Sequence, residues 1–79
     1  MRIYRIDQNE QAIAEVQRYL RAVSYHYEDI PHIGVDGIYG IETQNAVRAF
    51  QVLFSLRETG IVDFSTFAKL YNEFLLMKR

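Results

Sequence analysis

The sequence predicts an all-α fold, a compact three-helix bundle with an internal turn-into-helix duplication and a long loop between helices one and two. Three segments show the spacing of apolar residues that one buried helix face requires. A glycine–isoleucine block also occurs twice, each time before a helical segment. The chain has 79 residues, 49% of them hydrophobic, so we expect residues 1–79 to form one small domain.

The first helix is predicted over about residues 8–24. Asp7, followed three residues later by Glu10, indicates its N-terminal cap, because a carboxylate can accept a hydrogen bond from an unpaired backbone N–H. Polar residues occupy the opposite side of this helix from the apolar ones. The predicted core face consists of Ile13, Val16, Leu20 and Val23.

The second and third helices are predicted over about residues 41–54 and 64–77. Asp63 with Thr66 indicates the cap of the third helix. The predicted core face of the second helix consists of Ala46, Val47, Phe50, Leu53 and Phe54. That of the third consists of Phe67, Leu70, Tyr71, Phe74 and Leu75. Three amphipathic helices around one core are the simplest architecture for this pattern.

The turns before helices two and three repeat each other at an offset of 23 residues, "DGIYGIETQNAV" against "TGIVDFSTFAKL". We expect each glycine to adopt a backbone conformation that is costly for other residues, and each isoleucine to pack under the bundle. The cap should satisfy the first helical N–H groups. Gln51 is expected to bond back to a loop carbonyl. The aligned pairs are Gly37 with Gly60, Ile38 with Ile61, Thr43 with Thr66, and Val47 with Leu70.

The composition excludes several classes of partner. A formal net charge of −1 lacks the basic excess of a nucleic-acid binder. No apolar run approaches the ~18 residues of a membrane span, and "MRIYRIDQNEQ" has no signal-peptide core. Without cysteine there is neither a disulfide nor a thiolate metal site. The chain is therefore expected to be a monomer without a cofactor, either cytoplasmic or a domain of a longer, exported protein.

The glycine-rich stretch "GVDGIYG" (34–40) fits none of the common ligand loops. Its GxxGxxG spacing differs from the dinucleotide fingerprint, and the phosphate-loop pattern is absent. A calcium loop needs oxygen ligands at alternating positions, where Ile38 and Gly40 follow Asp36. Glu42 in the first helical turn would repel an anion at the helix N-terminus.

The loop over residues 24–40 has no helical period, and long loops of this kind are often functional. Its H-x-E-D-x-x-H pattern fixes no metal geometry, so solvated side chains explain it better than zinc does. The residues of this pattern are His26, Glu28, Asp29 and His32. No nucleophile with a base and no paired carboxylates are visible, so no catalytic residue is predicted. Tyr25, Tyr27 and Tyr39 could each stack against a sugar or a peptide, or cover the core.

Taken as a whole, "VDGIYGIETQNAVRAFQ" followed by "LRETGIVDFSTFAKL" resembles the peptidoglycan-binding domain family of bacterial cell-wall hydrolases. The resemblance covers residues 13–72 in the right order and spacing. The sequence departs from the family pattern at Ile41 (usually proline), Ser55 (usually glycine) and Phe67 (usually tryptophan), and its loop 24–34 is longer. The matching residues are Val35, Asp36, Gly37, Tyr39, Gly40, Thr43, Ala46, Val47, Phe50, Gln51, Leu56, Thr59, Gly60, Val62, Asp63, Thr66, Phe67 and Leu70.

The resemblance implies a non-catalytic module that holds peptidoglycan, through its glycan strand or stem peptide, in a shallow groove beside the glycine turn. Such a module would bring a linked hydrolase to its substrate at the cell wall, outside the cell. The alternative is a protein–protein docking or structural module without glycan binding. The tail "FLLMKR" keeps that alternative open, because Leu76 or Met77 has no evident place in a three-helix core. The candidate ligand-binding residues are Tyr25, Tyr27, Asp36, Gly37, Tyr39, Gly40, Thr43 and Arg48.

Overall fold

The computed structural model describes residues 9–77, and within that range it contains three α-helices. Helix α1 spans Glu10–Ser24, α2 spans Ile41–Leu53 and α3 spans Phe64–Met77. The described residues form no β-strand. The predicted all-α, three-helix arrangement is confirmed. None of these helices is long and apolar enough to cross a bilayer.

Local capping explains where the helices begin. Asn9 is the N-cap of α1, and its side-chain oxygen accepts a hydrogen bond from the N–H of Ala12 at 3.0 Å. The predicted cap residue Asp7 lies outside the described residues. Asp63 Oδ1 accepts from the N–H of Thr66 at 2.8 Å, which confirms the predicted cap of α3. The N-cap of α2 is Gly40, which has no side chain to bond the first N–H groups.

The core faces of α1 and α2 are largely as predicted, but α3 buries fewer of its apolar residues than predicted. Within α3, Leu70 is fully buried and Phe67 and Phe74 pack against the core. The prediction is wrong for Tyr71 and Leu75, which are exposed; α3 packs mainly against α1 among the described residues. The buried apolar residues are Ile13, Val16, Tyr19, Leu20, Val23, Ile30, Ile33, Ala46, Val47, Phe50, Val62 and Leu70.

Two buried glutamines fasten the duplicated turns in the same way. Gln51 Nε2 donates to Thr59 Oγ1, Ile61 O and Thr66 Oγ1 at 3.0–3.2 Å. Its Oε1 accepts from the N–H groups of Thr59 and Gly60 at 2.9 and 3.0 Å. The predicted bond from Gln51 to a loop carbonyl is therefore confirmed, and it is one of five.

Gln17 on α1 makes the equivalent bonds to the first turn. Its Nε2 donates to Asp36 Oδ1, Ile38 O and Thr43 Oγ1 at 2.9–3.0 Å. Its Oε1 accepts from the N–H groups of Asp36 and Gly37 at 2.9 Å each. The duplication is thus carried by hydrogen bonds as well as by sequence.

The glycine prediction is confirmed, and the isoleucine prediction is wrong. Gly37 and Gly60 have φ of +76° and +77°, a region that disfavours side chains with a Cβ. Ile38 and Ile61 are 64% and 57% exposed instead of packing under the bundle. Each isoleucine turns its carbonyl inward to a glutamine amide, so its side chain points out and Val62, the next residue in the second turn, is buried.

The long connection between α1 and α2 packs onto the bundle. Ile30 and Ile33 are buried in the core, and Arg21 Nη1 donates to Ile33 O at 2.8 Å. The hydroxyl of Tyr27 donates to the carboxylate of Glu73 on α3 at 3.0 Å. These contacts hold the loop against two helices and fix the depressions that lie beside it.

Candidate functional site

A shallow groove beside the first glycine turn, which we call the glycine-turn groove, is the main candidate site. It has a volume of about 390 Å³, within the range of small-ligand sites. Gln17 lies beneath it and holds the turn that forms one wall. The first turn of α2 forms the other wall. The lining residues are Gln17, Ile33, Gly34, Asp36, Ile38, Gly40, Ile41, Glu42 and Thr43.

The groove offers hydrogen-bond acceptors with negative charge. Asp36 Oδ1 accepts from the N–H of Ile38 and from Gln17 Nε2, each at 3.0 Å. These bonds stabilise the carboxylate and lower the pKa of Asp36, the N–H of Ile38 contributing most. Glu42 adds a second carboxylate in the first turn of α2, and no lining residue is basic. The groove therefore suits neutral hydroxyl or amide groups, or a cation, and disfavours anions.

The start of α2 adds donors and an apolar edge to the same groove. Gly40 caps α2 without a side-chain hydrogen bond, so N–H groups of the first helical turn remain open to a ligand. Ile38 and Ile41 are exposed on the rim. Carboxylates, open N–H groups and isoleucine side chains together provide acceptors, donors and an apolar surface within one depression.

Several of the predicted site residues meet at this groove. Asp36, Gly40 and Thr43 all line it. Gly37 is buried, and a Cβ at this position would lie 2.7 Å from Cγ of Glu10, so its part is to allow the turn. Tyr39 is half-buried, and its hydroxyl donates to Gly60 O at 2.6 Å, which ties the first turn to the second.

Tyr25 and Tyr27 lie apart from the glycine-turn groove, beside a depression of about 380 Å³ formed by residues 24–32. Tyr25 is 61% exposed, and its ring stacks on His32 with 4.4 Å between the ring centroids. Tyr27 packs edge-on against Phe54 and bonds to Glu73, which makes it a cover for the core.

Arg48 lies at a third depression, of about 420 Å³, which we call the Arg48 groove. Its guanidinium lies over Gly60, where a Cβ would be 2.9 Å from Arg48 Nε. Six of the eight predicted residues therefore lie at three separate surfaces, whereas Gly37 and Tyr39 line none of the three. The Arg48 groove is lined by Asp29, Asn45, Arg48, Ala49, Val52, Leu53 and Glu58.

The histidines of the loop do not form a metal site in the part of the chain that the structure describes. No group of three His, Cys, Asp or Glu side chains within residues 9–77 could hold an ion. Ser24 Oγ lies 2.6 Å from Nδ1 of His32, but the Ser24 hydroxyl donates to Arg21 O at 2.6 Å.

Sequence reasoning missed Gln17 as the residue that organises the groove, and it missed Ile38, Ile41 and Glu42 as its rim. The signal for Gln17 is its equivalence to Gln51: "IAEVQ" (13–17) and "VRAFQ" (47–51) both place a glutamine four residues after a buried aliphatic residue. From the sequence, Ile38 is expected in the core, Ile41 is a departure from the family pattern and Glu42 repels anions, so none of the three is expected on a groove rim.

Comparison with known proteins relates this chain to a protein family. A family model described as "Putative peptidoglycan binding domain" matches residues 9–70. A curated protein named "Probable N-acetylmuramoyl-L-alanine amidase", from Bacillus licheniformis, is 39% identical over 63 residues. That match covers 77% of this chain but 18% of the amidase, so the chain spans less than a fifth of the length of this relative. No solved structure matches the chain.

Proposed function

Since the chain belongs to the peptidoglycan-binding domain family, whose members are non-catalytic binding domains, we propose that it targets a linked hydrolase to the cell wall. The bound polymer would be peptidoglycan, held in the glycine-turn groove. Such a module raises the concentration of a linked enzyme at its substrate, so weak binding at each site is sufficient. The working location would be outside the cell, at the wall. The amidase name of the similar protein supports a hydrolase as the linked domain.

The observation that carries this proposal is the mixture of groups around the glycine-turn groove. The Asp36 and Glu42 carboxylates can accept hydrogen bonds from sugar hydroxyls, and the open N–H groups of α2 can donate to an acetamido carbonyl. Ile38 and Ile41 can cover the acetamido methyl group and the apolar face of a sugar ring. A glycan strand of N-acetylated sugars presents this combination of hydroxyl, carbonyl and methyl groups.

Rigidity supports the same proposal. Gln17 holds the turn through three hydrogen bonds to its backbone and two to side chains, so the groove exists before a ligand arrives. A preformed site loses less conformational entropy on binding than a flexible loop would. The turn therefore serves as a scaffold, and its exposed rim provides the contacts.

The experiment that tests the proposal compares two equivalent isoleucines. Ile38→Ala removes an apolar edge of the groove, whereas Ile61→Ala makes the same change at the equivalent exposed position of the second turn, outside the groove. Burying about 40 Å² of side chain contributes roughly 1 kcal/mol, so Ile38→Ala should weaken binding about fivefold. Tyr39→Ala is less suitable, because it removes the hydrogen bond to Gly60 O.

Binding is measured by co-sedimentation with purified sacculi and by ¹⁵N-HSQC titration with solubilised muropeptides. Shifts that cluster on residues 33–43, together with weaker binding of Ile38→Ala and unchanged binding of Ile61→Ala, would support the proposal. If nothing co-sediments and no amide shifts at millimolar ligand, peptidoglycan binding is refuted.

A second candidate function is docking of a partner domain on α3. Phe64, Tyr71, Leu75 and Leu76 are exposed along this helix, while Met77 packs against the core. An exposed apolar helix face can mark a protein–protein contact. Amide shifts confined to α3 on addition of the linked hydrolase domain, without any response to muropeptides, would favour docking over wall binding.

A further inference from the structure

The Arg48 groove has the geometry of a separate subsite. Asn45, Arg48, Ala49 and Val52 follow one another at steps that place them along one face of α2. This face points away from the core, since the buried residues of α2 lie on its opposite side. The loop after α1 and the loop after α2 close the two sides of the groove with Asp29 and Glu58.

Three charged side chains, those of Asp29, Arg48 and Glu58, border this groove. Within residues 9–77, no hydrogen bond or ion pair engages the charged groups of Asp29, Arg48 or Glu58. The lack of a side chain at Gly60 lets the Arg48 guanidinium lie directly over the second turn. One cation and two anions therefore border a floor of Ala49, Val52 and Leu53.

This charge pattern differs from that of the glycine-turn groove and selects a different ligand chemistry. The glycine-turn groove has carboxylates and no cation, which suits the hydroxyl groups of a glycan. A neutral sugar in the Arg48 groove would leave all three charges unpaired. A peptide with both a carboxylate and an ammonium group would pair with Arg48 on one side and with Asp29 or Glu58 on the other. Its aliphatic portion would cover the apolar floor.

We propose that the Arg48 groove binds a short peptide carrying a carboxylate and an ammonium group, as a subsite for the peptide part of peptidoglycan. This inference rests on the proposed function, because the wall polymer supplies the peptide. It assigns Arg48, Asp29 and Glu58 to peptide recognition and leaves the glycine-turn groove to the glycan.

The test uses peptides without any sugar. The probe is a synthetic tetrapeptide of stem-peptide sequence with an acetylated N-terminus and lysine at its third position, and two analogues have the lysine amine acetylated or the carboxylates amidated. Titration of the chain with the unmodified tetrapeptide should shift the amides of Asn45, Arg48, Val52 and Glu58. Each analogue should bind about two- to fivefold more weakly, the size expected for exposed ion pairs.

Variants that remove one charge each test which residue pairs with the carboxylate and which with the ammonium group of the peptide. Arg48→Gln should weaken binding of the unmodified tetrapeptide about two- to fivefold and should bind the amidated analogue no worse than the native chain does. Glu58→Gln should behave in the same way towards the acetylated analogue, and it remains informative if Arg48→Gln disturbs the fold. Arg18→Gln removes an exposed arginine on α1, outside the groove, and should leave binding unchanged.

Co-sedimentation with sacculi separates this inference from the proposed function. If the native chain binds sacculi while the tetrapeptide shifts no amide of the Arg48 groove, the inference is overturned and wall binding stands. The same conclusion follows if the tetrapeptide shifts only residues of the glycine-turn groove. If neither sacculi nor tetrapeptide bind, both the inference and the proposed function are refuted.

Discussion

Replacing Gln51 with methionine should destabilise the fold strongly, because methionine fills a similar volume but has no amide. The side chain of Gln51 is fully buried and makes five hydrogen bonds. Two of these, to the Gly60 N–H and the Thr66 hydroxyl, are buried, so water cannot replace the lost partner. An unsatisfied buried polar group costs about 1–3 kcal/mol, and the loss of two therefore costs roughly 2–6 kcal/mol.

That magnitude is large against the total stability of so short a chain. At about 0.05–0.15 kcal/mol per residue, the free energy of unfolding is roughly 4–12 kcal/mol. Urea unfolding followed by far-UV circular dichroism measures the change. With a slope of about 1 kcal/mol per molar urea, a loss of 2 kcal/mol or more lowers the midpoint by about 2 M or more.

Two further variants make the prediction specific. Gln17→Met should cost the same as Gln51→Met within about 1 kcal/mol, because Gln17 also makes five bonds, two of them buried. Gln11→Met makes the same substitution at an exposed position of α1 and should change stability by about 0.5 kcal/mol or less. If Gln51→Met costs no more than Gln11→Met, the argument that these amides hold the turns is refuted.

Other consequences of the turn geometry and of the buried tyrosine can be measured on the same protein. Gly37→Ala and Gly60→Ala should each lower the free energy of unfolding by about 1–2 kcal/mol, because both positions have positive φ and an added Cβ would lie within 3.0 Å of a side-chain atom. Gly34→Ala, where nothing lies within 4 Å, should leave the urea midpoint unchanged, and equal effects at all three glycines would contradict this reasoning. Ser55 has φ of 59° at the end of α2, so Ser55→Gly should raise the unfolding free energy by about 0.5–1 kcal/mol, and a lower urea midpoint would count against it. Burial, aided by a nearby carboxylate, raises the pKa of Tyr19 to about 12, so spectrophotometric titration should show one tyrosine ionising well above pH 10. Because this folded pKa exceeds the ordinary value of 10.0, the stabilisation is complete below pH 10 and is lost as pH rises towards 12. Tyr19→Phe should abolish that part of the pH dependence, and an unchanged pH profile would show that Tyr19 does not cause it.

The helices could be predicted from the sequence because their determinants act over short distances. The Asp63 side chain caps α3 through Thr66, three residues away, and the apolar spacing of α1 and α2 repeats within each turn of the helix. Local rules were less reliable on α3. Its apolar residues surround more of the helix than its contact with α1 covers, so Tyr71 and Leu75 remained exposed.

One bond of Gln51 was predicted, but the contacts of Gln17 were not, because they are distant along the chain. The partners of Gln17 lie 19 to 26 residues away, and the local spacing that Gln17 shares with Gln51 does not identify them. The first turn begins 20 residues after Gln17 and the second nine residues after Gln51, counted to Gly37 and Gly60. Because these two distances differ, the sequence does not reveal that the repeat includes the preceding helix as well as the turn.

The direction of Ile38 and Ile61 was predicted wrongly for a related reason. An apolar residue that recurs in two aligned blocks suggests a place in the core. In this fold, however, the two isoleucines share the role of their backbone, because each carbonyl accepts a hydrogen bond from a glutamine amide. Both side chains then point to solvent, and that of Ile38 forms an edge of the glycine-turn groove.

The same network explains why the motif residues matter more for the stability of the fold than for the choice of ligand. Asp36, Gly37 and Thr43 are bonded to Gln17, so replacing any of them disturbs the turn before it changes the proposed binding surface. The exposed residues Ile41 and Glu42 make no such bonds to Gln17 and can vary without loosening the turn. Ligand preference within this fold should therefore change mainly through rim positions and the charges of the Arg48 groove. Glu42→Gln should thus alter affinity for muropeptides while leaving the urea midpoint unchanged, and a matching loss of stability would show that rim and scaffold are not separate.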